Sequence, residues 1–170
     1  MSTDSTSETA APDDVPWLSP DQMRDWLALV GLLATLPPAL DAQLKRDAGV
    51  NSYEYQVLAL LSNAPDHTVG LSDLAESTQG SLSRLSHAIT RLERAGWVER
   101  RSGTDPTVRR TSARLTDAGL AKLEAVAPGH VREARRLVVD VLTAEQLAAL
   151  GDAARVITAA TVAEALELPG

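Results

Sequence analysis

The sequence predicts a mostly α-helical chain interrupted by one two-stranded β hairpin. Three observations carry that expectation. The 170 residues include no Phe, three Trp and two Tyr, so the core must be built mainly from Leu, Ala and Val, of which Leu and Ala are strong helix formers. Apolar residues recur at three- and four-residue spacing from Trp26 to Ile157, the pattern of one-sided helices. The exception lies at residues 97–115. There Trp97–Arg101 and the alternating Thr111, Ala113 and Leu115 flank the turn-forming run Ser102-Gly103-Thr104-Asp105-Pro106, which reads as a hairpin.

Residues 1–16 are rich in Ser, Thr, Asp and Pro, lack apolar periodicity and read as a disordered tail. Ser19 with Gln22 forms a capping box, with Pro20 in the first helical position. Trp26, Val30, Leu33, Leu36, Leu40 and Leu44 follow at helical spacing, and Pro37-Pro38 is expected to kink or break this helix. Asn51 and Glu54 make a second capping box for a helix carrying Val57, Leu58, Leu60 and Leu61 and ending at Asn63-Ala64-Pro65. Asp66–Gly70 reads as a loop, Ser72–Ser77 as a short helix and Thr78-Gln79-Gly80 as a tight turn. Ser81–Ala95 is a longer helix with Leu82, Leu85, Ile89 and Leu92 inward, stopped by a left-handed Gly96. After the hairpin, Thr116 caps a helix with a break or bend expected at Pro128-Gly129, and Thr143 with Gln146 caps a last helix running out near Leu168.

The absence of Cys excludes disulfides, thiolate metal sites and thiol redox chemistry. The chain opens without a basic-then-apolar leader and has no run of about 18 apolar residues, which points to the cytoplasm. The net charge of −7 is unevenly spread. Between Ser81 and Arg114 there are eight Arg (84, 91, 94, 100, 101, 109, 110 and 114) against Glu93, Glu99 and Asp105. That segment carries +5 and the remainder −12, a basic island in an acidic protein. Distribution, rather than the sum, is the electrostatic mark of a nucleic-acid contact.

The island coincides with a short helix, a tight turn, a longer helix and a hairpin, the order of a winged helix-turn-helix. Such a unit sets its second helix in the major groove of double-stranded DNA, where each base pair shows a distinct donor and acceptor pattern. The outer face of helix 81–95 offers Ser81, Ser83, Arg84, Ser86, His87, Thr90, Arg91 and Arg94. The hairpin supplies a wing whose tip carries Arg109 and Arg110, either of which suits the negative potential of a minor groove. Arg100 and Arg101 are expected to meet phosphates.

The runs Leu71-Ser72-Asp73-Leu74-Ala75, Ser81-Leu82-Ser83-Arg84-Leu85-Ser86-His87, Arg91-Leu92-Glu93-Arg94-Ala95-Gly96-Trp97-Val98 and Leu115-Thr116-Asp117-Ala118-Gly119, in this order and spacing, resemble the MarR family of bacterial transcription regulators. The resemblance spans roughly residues 17–160. It implies one domain over 17–168, with a DNA-binding lobe at about 51–115. It further implies a homodimer assembled through helices at about 17–47 and 116–168. Repression of a pseudo-palindromic operator, and release by a small aromatic or anionic effector, also follow from it. In many members an Asp stands two residues before the wing arginine. Here that position, counted from Arg109, holds Thr107, which leaves the choice between Arg109 and Arg110 open. Ser86-His87 stands where many members have Thr-Arg.

The remaining polar residues suggest neither catalysis nor a cofactor. His67, His87 and His130 are isolated from one another and form no metal set, and Ser83 and His87 lack an orienting carboxylate. Trp26, Tyr53 and Tyr55 lie in the first two helices and are candidates for an effector site as well as for packing. Trp97 reads as a core anchor. The alternative function is a winged-helix interaction protein that binds a protein partner, with DNA binding weak or lost.

Overall fold

A computed structural model of the chain describes residues 15–102 and 111–167, with side chains to residue 163. The first fourteen residues of the tail expected over 1–16, the wing tip at 103–110 and the last three residues lie outside the described residues. The elements run α1 (Pro20–Ala48), α2 (Ser52–Asn63), β1 (Thr68–Gly70), α3 (Leu71–Ser77), α4 (Leu82–Arg94), β2 (Val98–Ser102), β3 (Thr111–Leu115), α5 (Asp117–Leu137) and α6 (Ala144–Glu167). Single 3-10 turns precede β1 and α6. Two compact units are defined along the chain, residues 1–36 and 37–170.

The helix starts follow their capping residues. Ser19 Oγ accepts from the Gln22 N–H while the Gln22 side chain accepts from the Ser19 N–H, and Thr143 and Gln146 repeat the arrangement before α6. Asn51 and Glu54 do the same at α2. Thr116 caps α5 by accepting from the Gly119 N–H. Gly96 ends the α4 region with φ of 76°.

Neither proline site breaks its helix. α1 continues through Pro37 and Pro38, and α5 through Pro128. Proline fixes φ near a helical value, so it removes a backbone hydrogen bond without reversing the chain direction. Of the break or bend expected at Pro128-Gly129, the break is absent, and α5 ends at Val138, with φ −132° and ψ −62°. An 18-residue stretch within α1 reaches a mean hydropathy of 1.5, so this helix is long and apolar enough to cross a membrane by length and composition. Between Asp25 and Asp41 the only polar side chain is that of Thr35.

The segment expected to be a loop before α3 contributes a strand. β1 pairs antiparallel with β3, giving a three-stranded sheet of order β1-β3-β2 rather than a two-stranded hairpin alone. Val69 and Arg100 both lie opposite Ala113, and Val98 opposite Leu115. Ala113 and Leu115 are buried, so the central strand closes the sheet over the core. Three residues are too few to show the two-residue alternation that marks a strand.

The main core joins α2, α3, α4 and the sheet through Tyr53, Val57, Leu58, Leu61, Leu74, Leu85, Ala88, Ile89, Leu92, Val98 and Leu115, and Leu123 of α5 packs into it. Leu44, Val50 and Val126 form a second cluster, and Trp97 packs against both. Burying each large side chain contributes about 1.5–3 kcal/mol. Gly119 lies against the Trp97 carbonyl and the Leu115 side chain, where a β-carbon would overlap backbone. Gly119→Ala is therefore expected to destabilise the fold by about 2 kcal/mol, measured as a lower urea midpoint with an unchanged slope.

Candidate nucleic-acid interface

α4 is amphipathic about a narrow stripe. Leu85, Ala88, Ile89 and Leu92 are at most 1% exposed, whereas Ser81, Ser83, Arg84, Ser86, His87, Arg91 and Arg94 are exposed and Thr90 is half-buried. Ser81 caps the helix by accepting from the Arg84 N–H at 3.1 Å. Leu82, expected inward, is 60% exposed. It shares the azimuth of Ile89 but stands two turns earlier, beyond the reach of the core.

Polar contacts from α2 secure α4 at both ends. At its N-terminal end the Arg84 guanidinium lies 4.2 Å over the ring of Tyr53, a stacked cation on an aromatic face. The Tyr53 hydroxyl is 2.9 Å from Thr78 Oγ1, and that oxygen sits 2.8 Å from the Leu74 carbonyl. Thr78 has one proton and gives it to the carbonyl, so Tyr53 donates to Thr78. This contact clamps the turn between α3 and α4, where Gln79 is left-handed at φ 50° and Gly80 packs against the Tyr53 ring. At the other end Arg91 Nε donates to Glu54 Oε1 at 2.5 Å, while Glu54 Oε2 accepts from the Asn51 N–H at 2.9 Å. The carboxylate that caps α2 thereby anchors the recognition face, and the Arg91 side chain still keeps 56% of its surface exposed.

The wing strand is tied in as well. Arg100, expected at a phosphate, turns onto α4, with Nη1 2.7 Å from Glu93 Oε2 and Nη2 within reach of Ser86 and Thr90. Arg101 and Arg114 both bond Glu99. The Arg101 bond first and the Arg114 bond second hold the Glu99 carboxyl below its usual range. Arg84 and Arg94 have no carboxylate partner among the described residues. Arg109 and Arg110 lie outside the described residues, so the wing tip is read from sequence alone.

Of the aromatic effector candidates, Tyr53 is buried in the core and engaged by Thr78, and Trp26 is 51% exposed on the first half of α1. Tyr55 is partly buried, its ring 4.5 Å from that of His130. Beside them a cavity of about 320 Å³ opens between α1 and α5, lined by Gln43, Asp47, Lys122, Val126, Gly129 and Arg132 among others. Sequence reasoning did not find these residues. Each is a single polar or small position on a helix, and only the packing of α1 on α5 assembles them. Gln43 Nε2 donates to Asp47, which leaves its Oε1 to accept from His130 Nδ1 at 3.2 Å. Burial pushes the Tyr55 phenol up and the His130 imidazole down from their ordinary values.

The three-helix unit α2-α3-α4 with its sheet is a winged helix-turn-helix, the class of protein that sets a helix in a DNA groove. Residues 50–105 match the MarR family. The chain is 37% identical to Sco3205 of Streptomyces coelicolor, a MarR family transcriptional regulator crystallised in complex with DNA, covering 85% of this chain and 90% of that one with a TM-score of 0.80. AbsC, a MarR family regulator of the same organism, is 33% identical over 88% of this chain and 99% of its own, also with a TM-score of 0.80. The transcriptional repressor YetL of Bacillus subtilis is 33% identical over 82 residues, and that match spans about half of its length, 48%. This chain belongs to the MarR family of transcription regulators.

The His130 shift has a stability consequence. A histidine whose folded pKa is depressed binds fewer protons when folded than when unfolded, so stability falls as pH drops through the ordinary imidazole value toward the folded one. Asp41 is held low by Lys45 and the Ser52 N–H, and Asp47 by Gln43 and Arg46. Their contributions are lost only at lower pH, in the carboxylate range. His130→Gln is expected to flatten the pH 5–7 limb of a Tm-against-pH curve (about the imidazole range) and to leave the acidic limb intact.

Proposed function

We propose that this protein is a cytoplasmic, homodimeric repressor that binds a pseudo-palindromic double-stranded DNA operator and is released by a small-molecule effector. The observation that carries the reading is the outer face of α4. It is rich in short hydroxyl side chains, bears Arg84 and Arg94 without carboxylate partners among the described residues, and is fixed outward by a fully buried opposite face. Ser81, Ser83, Arg84, Ser86, His87, Arg91 and Arg94 are assigned to the groove and its phosphates, with Arg109 and Arg110 on the wing. The DNA complex of Sco3205 supports the assignment by likeness.

Dimerisation is supported by apolar surface at the two ends of the chain. Trp17, Trp26, Leu27 and Leu33 are 80%, 51%, 59% and 60% exposed, and Val156 and Ile157 on α6 are 70% and 49% exposed. Large apolar side chains left exposed in this number on one element mark an interface. The hydropathy of α1 has its place there. Asp21, Arg24 and Asp25 at its start and Asp41, Lys45, Arg46 and Asp47 at its end keep it in water as part of a protein–protein seam. A two-fold dimer carries two recognition helices onto half-sites about 10 bp apart. The cavity between α1 and α5 carries Lys122 and Arg132 against a single carboxylate, Asp47, beside Ala125 and Val126, and this excess of cations suits a small anionic effector.

Fluorescence anisotropy on the duplex upstream of the protein's own gene, across a salt series and beside a scrambled duplex, tests the reading. Tight binding that prefers the native duplex is expected, with Arg94→Ala lowering the slope of log K against log salt by about 0.9 and leaving the dimer intact by light scattering. Equal, weak binding to native and scrambled duplexes, and to duplexes recovered from a random pool, overturns it.

A further inference from the structure

Arg100 stands at the root of the wing, with its side chain 31% exposed, and spends its donors on α4. Its backbone N–H donates to Glu93 Oε1 at 3.0 Å and its Nη1 to Glu93 Oε2 at 2.7 Å. Nη2 lies 3.0 Å from the Ser86 carbonyl, 3.2 Å from Ser86 Oγ and 3.2 Å from Thr90 Oγ1, so its two protons are shared among three oxygens. One wing residue thus grips three residues spread over two turns of α4.

The chemistry of these contacts has a direction. A guanidinium is a permanent donor with no acceptor. Ser86 Oγ must therefore accept from Arg100, and its own proton must point away from the guanidinium. Thr90 Oγ1 accepts from Arg100 and donates to the Ser86 carbonyl at 2.8 Å, so its proton is already used. Ser86 is exposed and Thr90 half-buried.

We propose that Arg100 is a positioning residue for base recognition: it fixes the Ser86 hydroxyl as an outward donor and withdraws the Thr90 hydroxyl from DNA. The inference rests on α4 being the recognition helix. A serine left to itself reads donors and acceptors alike. With one lone pair taken by Arg100 and its proton turned outward, Ser86 favours guanine, adenine or thymine, which show acceptors in the major groove, over cytosine, which shows only its amino donor there. The wing root in this way contributes to sequence choice without touching a base.

The test is an affinity panel of every single-base substitution in the duplex that the wild-type protein selects from a random pool. The wild type is expected to discriminate against cytosine at one position per half-site by about tenfold. Arg100→Lys retains the charge but, with a single nitrogen, cannot hold Glu93 and Ser86 at once as the two terminal nitrogens of the guanidinium do. It is expected to lose that discrimination and keep the other positions and the salt slope. Ser86→Ala is expected to lose the same discrimination, and the double variant no more than either single one. Thr90→Val, which keeps shape and removes a hydroxyl assigned no base, is expected to leave the profile unchanged, and it tests the assignment even if Arg100 variants do not fold. An Arg100→Lys profile identical to wild type, uniform weakening across all duplexes, or a base preference lost in Thr90→Val overturns the proposal. A wild-type protein that selects no duplex overturns the DNA reading itself, before any variant is made.

Discussion

Leu85, Ala88, Ile89 and Leu92 fall on one stripe of α4 and are buried almost completely. Sinking four side chains at this spacing removes the freedom of the helix to rotate about its axis. Leu85, Ile89 and Leu92 left in water would each cost about 1.5–3 kcal/mol, far more than any surface contact could recover. The identity of the outward residues is therefore decided by the core. Ser83, Arg84, Ser86, His87 and Arg94 face solvent because the positions between them cannot.

Rotation is one degree of freedom; sliding and tilting are others, and polar contacts control those. Glu54 fastens the C-terminal half of α4 through Arg91, Tyr53 supports its start through Arg84 and Thr78, and Arg100 ties its middle to the wing strand. The partly exposed Arg100–Glu93 pair carries little of the net stability, on the order of 0–1 kcal/mol, while the buried Glu54 carboxylate needs its Arg91 partner. The value of these bonds is geometric: helix, turn and wing are joined from three sides into one reading head. The same bonds explain how an arginine-rich segment sits on a folded protein without self-repulsion. Arg91, Arg100, Arg101 and Arg114 each have a carboxylate within 4.0 Å, which concentrates the uncompensated charge of α4 on Arg84 and Arg94.

What was legible in the sequence was local or periodic. The four capping boxes and caps at Ser19, Asn51, Thr116 and Thr143 are encoded within four residues, and the α4 stripe within eight, so both could be read directly. The misreadings share a cause of the opposite kind. β1 is a strand because β3, more than forty residues away, pairs with it. At the prolines of α1 and α5 only the break, one of the two outcomes local propensity allowed, is absent, because a helix with enough flanking support tolerates a missing hydrogen bond. Arg100 counted as one more surface cation until Glu93 and Ser86, seven and fourteen residues back, were brought beneath it. Side-chain pairing at that distance leaves no trace in spacing. The lining of the cavity between α1 and α5 was hidden for the same reason.

The chain ends place a further condition on the assembly. α6 runs for 24 residues, and none of its side chains through residue 163 is buried, although its sequence alternates Val156, Ile157 and Val162 with many Ala. An isolated helix gains little from propensity alone, and most helical stability in proteins comes from packing an apolar face. A helix of this composition standing in water would bring its ordering cost without the compensating burial. The second copy in the proposed homodimer, laid against α6, supplies that burial. In the proposed dimer the same helices set the distance between two α4 helices, so the packing that completes the hydrophobic surface also sets the spacing of the DNA half-sites. An effector lodged between α1 and α5 would act on the helices that hold this distance, and could release DNA without touching a single residue of the recognition face.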